Sequence, residues 1–340
     1  MRLLVLGGTE FVGRALVDEA LARGWEVTVF HRGRHPAPPG VTVLHGDRTA
    51  PDGLLALNSG ASGQAAGPYW DAVIDTWTGA PVAVRDAAAA LASRAEHYVY
   101  VSSRSVHSHP TAPGADESAP LVDGDPDDKE DGDYARAKRG GELAATAAFG
   151  ERALLPRPGL VIGPGENIGR LPWWLNRAAR GGPMLAPGPR SLPLQYIDAR
   201  DLATWTLDAL ERGLGGAYNT VSERGHTTMG ALLDAVVSAT GNRAEPQWTA
   251  PDTLLLAGVE PWSELPIWVP PGELHDTLHG ADVSKAHAEG LRCRPAAETV
   301  AATWQWLHAL HGQAPHRPDR PQVGLAPERE AELLRQLPTT

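Results

Sequence analysis

The start of the chain constrains the fold most. A short apolar run, Leu3 to Leu6, breaks at Gly7-Gly8-Thr9, and apolar residues then recur at helical spacing at Phe11, Val12, Ala15, Leu16, Ala20 and Leu21. Gly24 closes that predicted helix (Phe11 to Arg23), and Trp25 to Phe30 reads as a second strand. Strand, glycine turn, helix and strand in such close succession form the crossover unit that two parallel strands require.

The alternation continues. Val41 to Leu44, Ala72 to Ile74, His97 to Val101 and Ala153 to Leu155 read as strands, while Val82 to Arg94 and Tyr134 to Phe149 read as helices. The pattern predicts an α/β fold with a Rossmann-type doubly wound parallel sheet. Gly60 to Pro68 and the longer Ser108 to Gly132 read as loops. Past about Gly159 the alternation becomes irregular, and 8 of the 11 tryptophans fall between Trp173 and Trp306. The expected organisation is a dinucleotide-binding domain over 1–158 and a smaller, Trp-rich substrate region over 159–312. That region is interleaved with the last sheet elements, about 195–220, such as Gln195 to Ile197. Residues 313–340 form a Pro/Arg-rich linker and a helix, Pro327 to Leu337.

Charge excludes one class of partner. The net charge is −11, whereas a nucleic-acid partner requires a basic footprint. The acidity is local: the stretch Asp116 to Asp133 holds nine acids and one base, Lys129, so the remaining chain carries about −3. Cys293 is the single cysteine, which excludes an intrachain disulfide. The run after Met1 is too short for a signal-peptide core, and no stretch approaches the ~18 apolar residues of a membrane span. A cytoplasmic protein with a small-molecule substrate is expected, with no nucleic-acid or membrane partner.

The glycine turn suits a pyrophosphate. Gly7-x-x-Glu10-x-x-Gly13 directly follows a strand and opens a helix, and such a site needs residues tolerating unusual φ, a close backbone approach and a helix N-terminus. An ordinary glycine-capped turn is the plain alternative. At the end of the second strand, where a dinucleotide fold usually places an acid for the ribose hydroxyls, the chain reads Phe30-His31-Arg32-Gly33-Arg34. With no acid and two arginines there, His31, Arg32 and Arg34 are candidate cofactor contacts, and NADP(H) is favoured with NAD(H) as the alternative. Asp47 is read either as an acceptor for the adenine amino group or as a turn aspartate.

Tyr134 and Lys138 lie four apart on a predicted helix and project from one face. An ammonium beside a phenol favours the phenolate, so Lys138 is expected to lower the Tyr134 pKa. Such a tyrosine passes a proton to or from a substrate oxygen. Lys138 is one of three lysines among 30 basic residues. The strand His97 to Val101 runs into Ser102-Ser103-Arg104-Ser105, where a hydroxyl can bond the reacting oxygen. His107 and His109 invite a metal reading but lack a third ligand at useful spacing, so no metal is expected and they read as loop histidines. Asp123, Asp125 and Asp127 lack the glycine and terminal carboxylate of a calcium loop. That acidic stretch reads as solvated, with a lid over the site as its candidate role. Trp173, Trp174, Trp262 and Trp268 either line a pocket or pack in the core.

Together these pieces resemble the extended or atypical short-chain dehydrogenase/reductase superfamily, its NAD-dependent epimerase/dehydratase-like group. The matching segments are LGGTEFVG (Leu6 to Gly13), YVYVSSRSV (Tyr98 to Val106), YARAK (Tyr134 to Lys138), RPGLVIGPG (Arg157 to Gly165) and QYIDARDLA (Gln195 to Ala203). They span roughly Met1 to Leu210. The resemblance implies that Gly7, Gly8 and Gly13 hold the pyrophosphate, that Thr9, Glu10, Phe11 and Val12 form the turn's backbone donors, that Ser103 is the catalytic hydroxyl, and that Tyr134 is the acid/base. It further implies that Lys138 partners the tyrosine and holds the nicotinamide ribose. Arg157, Pro158 and Gly159 would lie against the nicotinamide end. Glu10 stands where the family has its central glycine, and His107 where a tyrosine is common. Superfamily members are often dimers, so a homodimer is among the implied assemblies. Three functions are implied: an NADPH-dependent reductase or dehydrogenase of a carbonyl or secondary alcohol, a sugar-nucleotide epimerase or dehydratase, or a non-catalytic cofactor-binding regulator or RNA-binding relative. Retention of Ser103, Tyr134 and Lys138 together favours the first two.

Overall fold

The computed structural model describes residues 1–58 and 69–336. The first half contains β1 (Arg2–Leu6), α1 (Phe11–Ala22), β2 (Glu26–His31), β3 (Thr42–His45), α2 (Leu55–Asn58), β4 (Trp70–Asp75), α3 (Val82–Leu91), β5 (Ala95–Tyr100), α4 (Tyr134–Phe149) and β6 (Ala153–Pro158). Next come β7 (Leu160–Ile162), α5 (Arg170–Arg180), β8 (Gly182–Pro187), β9 (Pro193–Leu194), β10 (Tyr196–Asp198), α6 (Ala199–Glu211) and β11 (Gly216–Thr220). The last part holds β12 (Thr227–Thr228), α7 (Met229–Ala239), β13 (Ala244–Thr249), α8 (Pro251–Leu256), α9 (Glu273–His279), α10 (Ser284–Ala288), α11 (Ala296–Ala309) and α12 (Pro327–Gln336). The loop expected over Gly60 to Pro68 lies outside the described residues, as does Leu337.

Seven parallel strands form the central sheet in the order β3-β2-β1-β4-β5-β6-β11. The strand order reverses between β1 and β4, which opens a crevice at their carboxyl ends. Successive residues of β1 serve opposite faces. Leu3 and Val5 pack with Leu16 and Val17 of α1 and Leu202 of α6, while Leu4 and Leu6 pack with Val84 of α3 and Ala144 of α4. Both faces are thus covered, and each buried Leu or Val contributes about 1.5–3 kcal/mol.

A third core lies beyond the sheet. Trp174 of α5, Met184 of β8, Leu232 of α7, Val300 of α11 and Leu333 of α12 are fully buried in it. The C-terminal helix is fastened there by a buried pair, Arg177 with Glu330. One expected sheet element is placed differently. The segment around Gln195 to Ile197 becomes β10, which pairs with β7 in a separate two-stranded sheet. The seventh central strand is β11, beside β6. The chain leaves β10 early because its last residue, Asp198, caps α6 by accepting from the Arg200 N–H at 2.9 Å. Among the described residues, no helix is long and apolar enough to cross a membrane.

Candidate functional site

The crevice at the sheet's carboxyl edge opens into a cavity of about 1080 Å³. One wall is the turn between β1 and α1. Gly7 N–H donates to Phe30 O at 3.0 Å, and Gly7 and Gly8 take φ of 118° and 84°. A Cβ on Gly7 would sit 2.3 Å from Thr76 Oγ1, and one on Gly13 would sit 2.8 Å from Gly8 N. These positions admit only glycine, and they leave the backbone bare towards the cavity. Glu10 has φ −137°, which any residue adopts, so the chain does without the family's central glycine here. The left-handed conformation falls instead on Phe11, at φ 35°. No side chain caps α1, and Thr9 to Gly13 all lie on the cavity wall. The uncapped N–H groups of that helix end make a ready anion site. A dinucleotide's pyrophosphate therefore fits these residues.

At the end of β2, His31, Arg32 and Arg34 also line the cavity. Both arginines are exposed, without an ion-pair or hydrogen-bond partner among the described residues. Burial and the neighbouring His45 and His35 push His31 below its ordinary pKa. Asp47 stands off the wall. Its carboxylate accepts from Thr49 N at 3.1 Å and Thr49 Oγ1 at 2.7 Å, and these bonds hold its pKa down. Of its two readings, the turn aspartate describes the geometry.

Sequence reasoning missed a buried pair at the end of β4. Arg48 donates to both oxygens of Asp75 at 2.6 and 2.8 Å, and its guanidinium lies 4.8 Å from the Trp77 ring centroid. Asp75 also accepts from Tyr98 OH at 2.7 Å and Trp77 N at 2.9 Å. The signal available was positional: residues just beyond a strand at the switch point face the ligand crevice.

The opposite wall holds the candidate chemistry. Ser103, Tyr134 and Lys138 all line the cavity. Ser103 lies beyond the end of β5, and its Oγ accepts from Ser105 N at 3.1 Å. Tyr134 opens α4, whose N-cap Asp133 accepts from Arg136 N at 2.9 Å. Burial raises the Tyr134 pKa, opposed by a hydrogen bond with Ser103 and by the charges of Arg320, Arg317 and Arg170.

Lys138 is engaged by backbone carbonyls as well as lining the cavity. Its Nζ donates to Trp77 O at 2.6 Å and Val101 O at 2.7 Å, and lies 4.7 Å from the Tyr100 ring centroid. Helical spacing does place it on the face of Tyr134. One turn deeper, however, the carbonyls of Trp77 and Val101, just beyond β4 and β5, capture it. Burial pushes its pKa down to about 7. The Tyr134 phenol is held above its ordinary value by its own burial.

Pro158 and Gly159 line the cavity, whereas Arg157 does not. Its guanidinium is buried and donates to Glu142 through Nε at 2.7 Å and Nη2 at 2.9 Å. Burial alone would raise the Glu142 pKa, but Arg157, Ser102 and Arg139 hold it down. Arg157 is a strut between β6 and α4 rather than a ligand contact.

The remaining wall comes from distant segments: Asn167, Ile168 and Arg170 before and in α5, then Trp262, Val269 and α9, then His316 to Arg320. Of the four tryptophans read as pocket or core, Trp262 lines the cavity, as Trp77 also does, while Trp174 and Trp268 are fully buried core residues. Trp173 packs partly buried against that core. The acidic stretch is largely exposed, and no residue between Asp116 and Asp133 lines the cavity. The acids stand clear of the cavity in this structure, and the segment read as a linker borders it. His107 is not an open loop histidine but buried, its Nε2 3.3 Å from Asn219 Oδ1. Among the described residues, no group of three His, Cys, Asp or Glu is placed to hold a metal.

The chain matches known proteins over most of its length. The model of the NAD dependent epimerase/dehydratase family matches residues 3–220. A 2-alkyl-3-oxoalkanoate reductase of Stenotrophomonas maltophilia is 31% identical over 266 residues, covering 71% of this chain and 76% of its own. The UDP-glucuronic acid 4-epimerase of Bacillus cereus, solved with NAD, superposes with a TM-score of 0.64 at 15% identity, covering 92% of this chain and 99% of that one. The UDP-glucose 4-epimerase of Thermus thermophilus, also solved with NAD, gives 0.60 at 22% identity, covering 91% and 99%. At these identities the two structures establish a shared fold.

Proposed function

This chain belongs to the NAD-dependent epimerase/dehydratase family, and from that premise we propose that it is an NADPH-dependent reductase of a ketone on a small molecule. The observation that supports this most is the placement of Ser103 and Tyr134 on the cavity that the glycine turn also opens into. When bound, a nicotinamide dinucleotide supplies or accepts hydride at the substrate carbon. Gly7, Gly8, Gly13 and the α1 N-terminus would hold its pyrophosphate, and Arg32 and Arg34 would receive a 2′-phosphate.

The chain's own part is proton transfer. A phenol held above its ordinary pKa keeps its proton at neutral pH, which suits a general acid towards a ketone oxygen. Ser103 donates to that oxygen as its negative charge develops, and the nearby arginines steady the phenolate that remains. The relative named as a 2-alkyl-3-oxoalkanoate reductase makes a 3-oxo acid the first substrate to test. The epimerase neighbours favour a second reading, in which the cofactor stays bound and hydride returns to the same substrate.

Net coenzyme turnover separates the two. Purified protein is incubated with NADPH and a 2-alkyl-3-oxoalkanoate, and in parallel with the oxidised coenzyme, NAD+ or NADP+, and a UDP-sugar. Stoichiometric NADPH oxidation by the oxo acid is expected. Epimerised sugar with coenzyme unconsumed would replace the reductase reading by the epimerase one.

A further inference from the structure

We propose that Arg170, Arg317 and Arg320 form a subsite beside Tyr134 that holds an anionic group, carboxylate or phosphate, on the substrate. Arg317 and Arg320 belong to the Pro/Arg-rich segment before α12, outside the residues 3–220 matched by the family model. The segment is pinned against the cavity by the Arg317 N–H, which donates to Asn167 O at 3.0 Å. The Arg320 guanidinium lies 5.5 Å from the Tyr134 ring centroid. Arg170, opening α5, stacks 4.8 Å from the Trp262 centroid, on the same cavity wall.

The acids in reach offset the charge of Arg317 and leave most of that of Arg170 and Arg320. Asp319 is bound in a two-point pair by Arg317, at 3.0 and 2.6 Å, and meets Arg320 only at 3.8 Å. Glu166, the acid nearest Arg170 in sequence, spends both oxygens on backbone N–H groups, Arg170 N at 2.6 Å and Leu171 N at 3.2 Å. Its burial also lifts it towards its neutral form, with a pKa of about 7. The Arg170 guanidinium has no hydrogen-bond or ion-pair partner among the described residues, and its Nε is buried without an acceptor. Planar donors in a half-dry pocket call for a ligand carboxylate or phosphate. Val269 and Leu278 on the same wall suit an apolar remainder of that ligand.

The inference rests on the reading of the cavity as a substrate site, and its test reads binding rather than turnover. Tryptophan fluorescence is titrated with octanoate, octyl phosphate and methyl octanoate, on the wild type and on Arg320→Gln and Arg170→Gln. Either anion is expected to bind about tenfold or more tightly than the uncharged ester, with that preference lost in both variants. The tighter of the two anions identifies the group. Equal affinity for the ester, or a preference unchanged in both variants, overturns the subsite. Should the variants fold poorly, the wild-type comparison of anion with ester still decides. An anion preference without NADPH consumption retains the subsite and rejects the reductase; consumption without a preference does the reverse.

Discussion

The two halves of the cavity differ in how they are assembled. The nucleotide half comes from chain neighbours: Gly7 to Gly13 form one turn, and His31 to Arg34 close the next strand. The substrate half is gathered from α5, Trp262, α9 and the segment ahead of α12, which are far apart in the chain. A local half repeats wherever the strand-turn-helix unit recurs, whereas a gathered half varies with every change of packing. That is a physical reason why one fold serves many substrates.

Tyr134 is where the halves meet, so its loss breaks the comparison most sharply. Tyr134→Phe removes one hydroxyl from the mouth of α4 and leaves the glycine turn untouched. Turnover is expected to fall about 10²–10⁴-fold, ~3–5 kcal/mol of barrier. NADPH affinity, read by fluorescence titration, should stay close to wild type. Unchanged turnover would remove the proton-transfer role, and a parallel loss of coenzyme affinity would show that the halves are not separable.

Legibility divides along the same line. The glycine turn, the strand alternation and the α4 boundaries at Tyr134 and Phe149 could be read from periodicity, because each depends on near neighbours. Ser103 could be placed because it lies just past a strand at the ligand edge. Arg157 could not: that it pairs with Glu142 instead of facing the cavity is decided by the packing of α4 on β6. Lys138 shows a subtler limit. Its helical face was legible, but the carbonyls of Trp77 and Val101 that hold it belong to other elements. The charged segments teach most. A run of acids suggested a lid, and a Pro/Arg run suggested a linker. Only the tertiary fold leaves the acids outside and brings Arg317 and Arg320 to the wall.

A smaller effect probes the nucleotide half alone. Arg32 and Arg34 are exposed and have no acceptor among the described residues, so a 2′-phosphate gains a charge-assisted contact partly screened by solvent. Arg32→Ala should weaken NADPH by about tenfold while NADH changes little, as measured by paired titrations. Equal losses for both coenzymes would confine Arg32 to a general attraction for anions.

The smallest expected effect concerns how dry the junction is. Lys138 has an ordinary pKa of 10.5 and one of about 7 in the fold, with burial the largest cause. Between pH 7 and 10.5 the unfolded chain keeps a proton that the folded one releases, so this group makes folding more favourable as pH rises. Below pH 7 the buried ammonium costs its full penalty. Lys138→Met removes the titration while keeping an apolar stem of similar length. The Tm of the wild type relative to Lys138→Met, without coenzyme, should therefore rise from about pH 6 to about pH 9. The expected rise is a few degrees, given that ~1 kcal/mol moves Tm by about 2–4 °C in large domains. A difference flat in pH would mean that water reaches Nζ. The Lys138 ammonium would then be solvated from the cavity that the glycine turn and Tyr134 share.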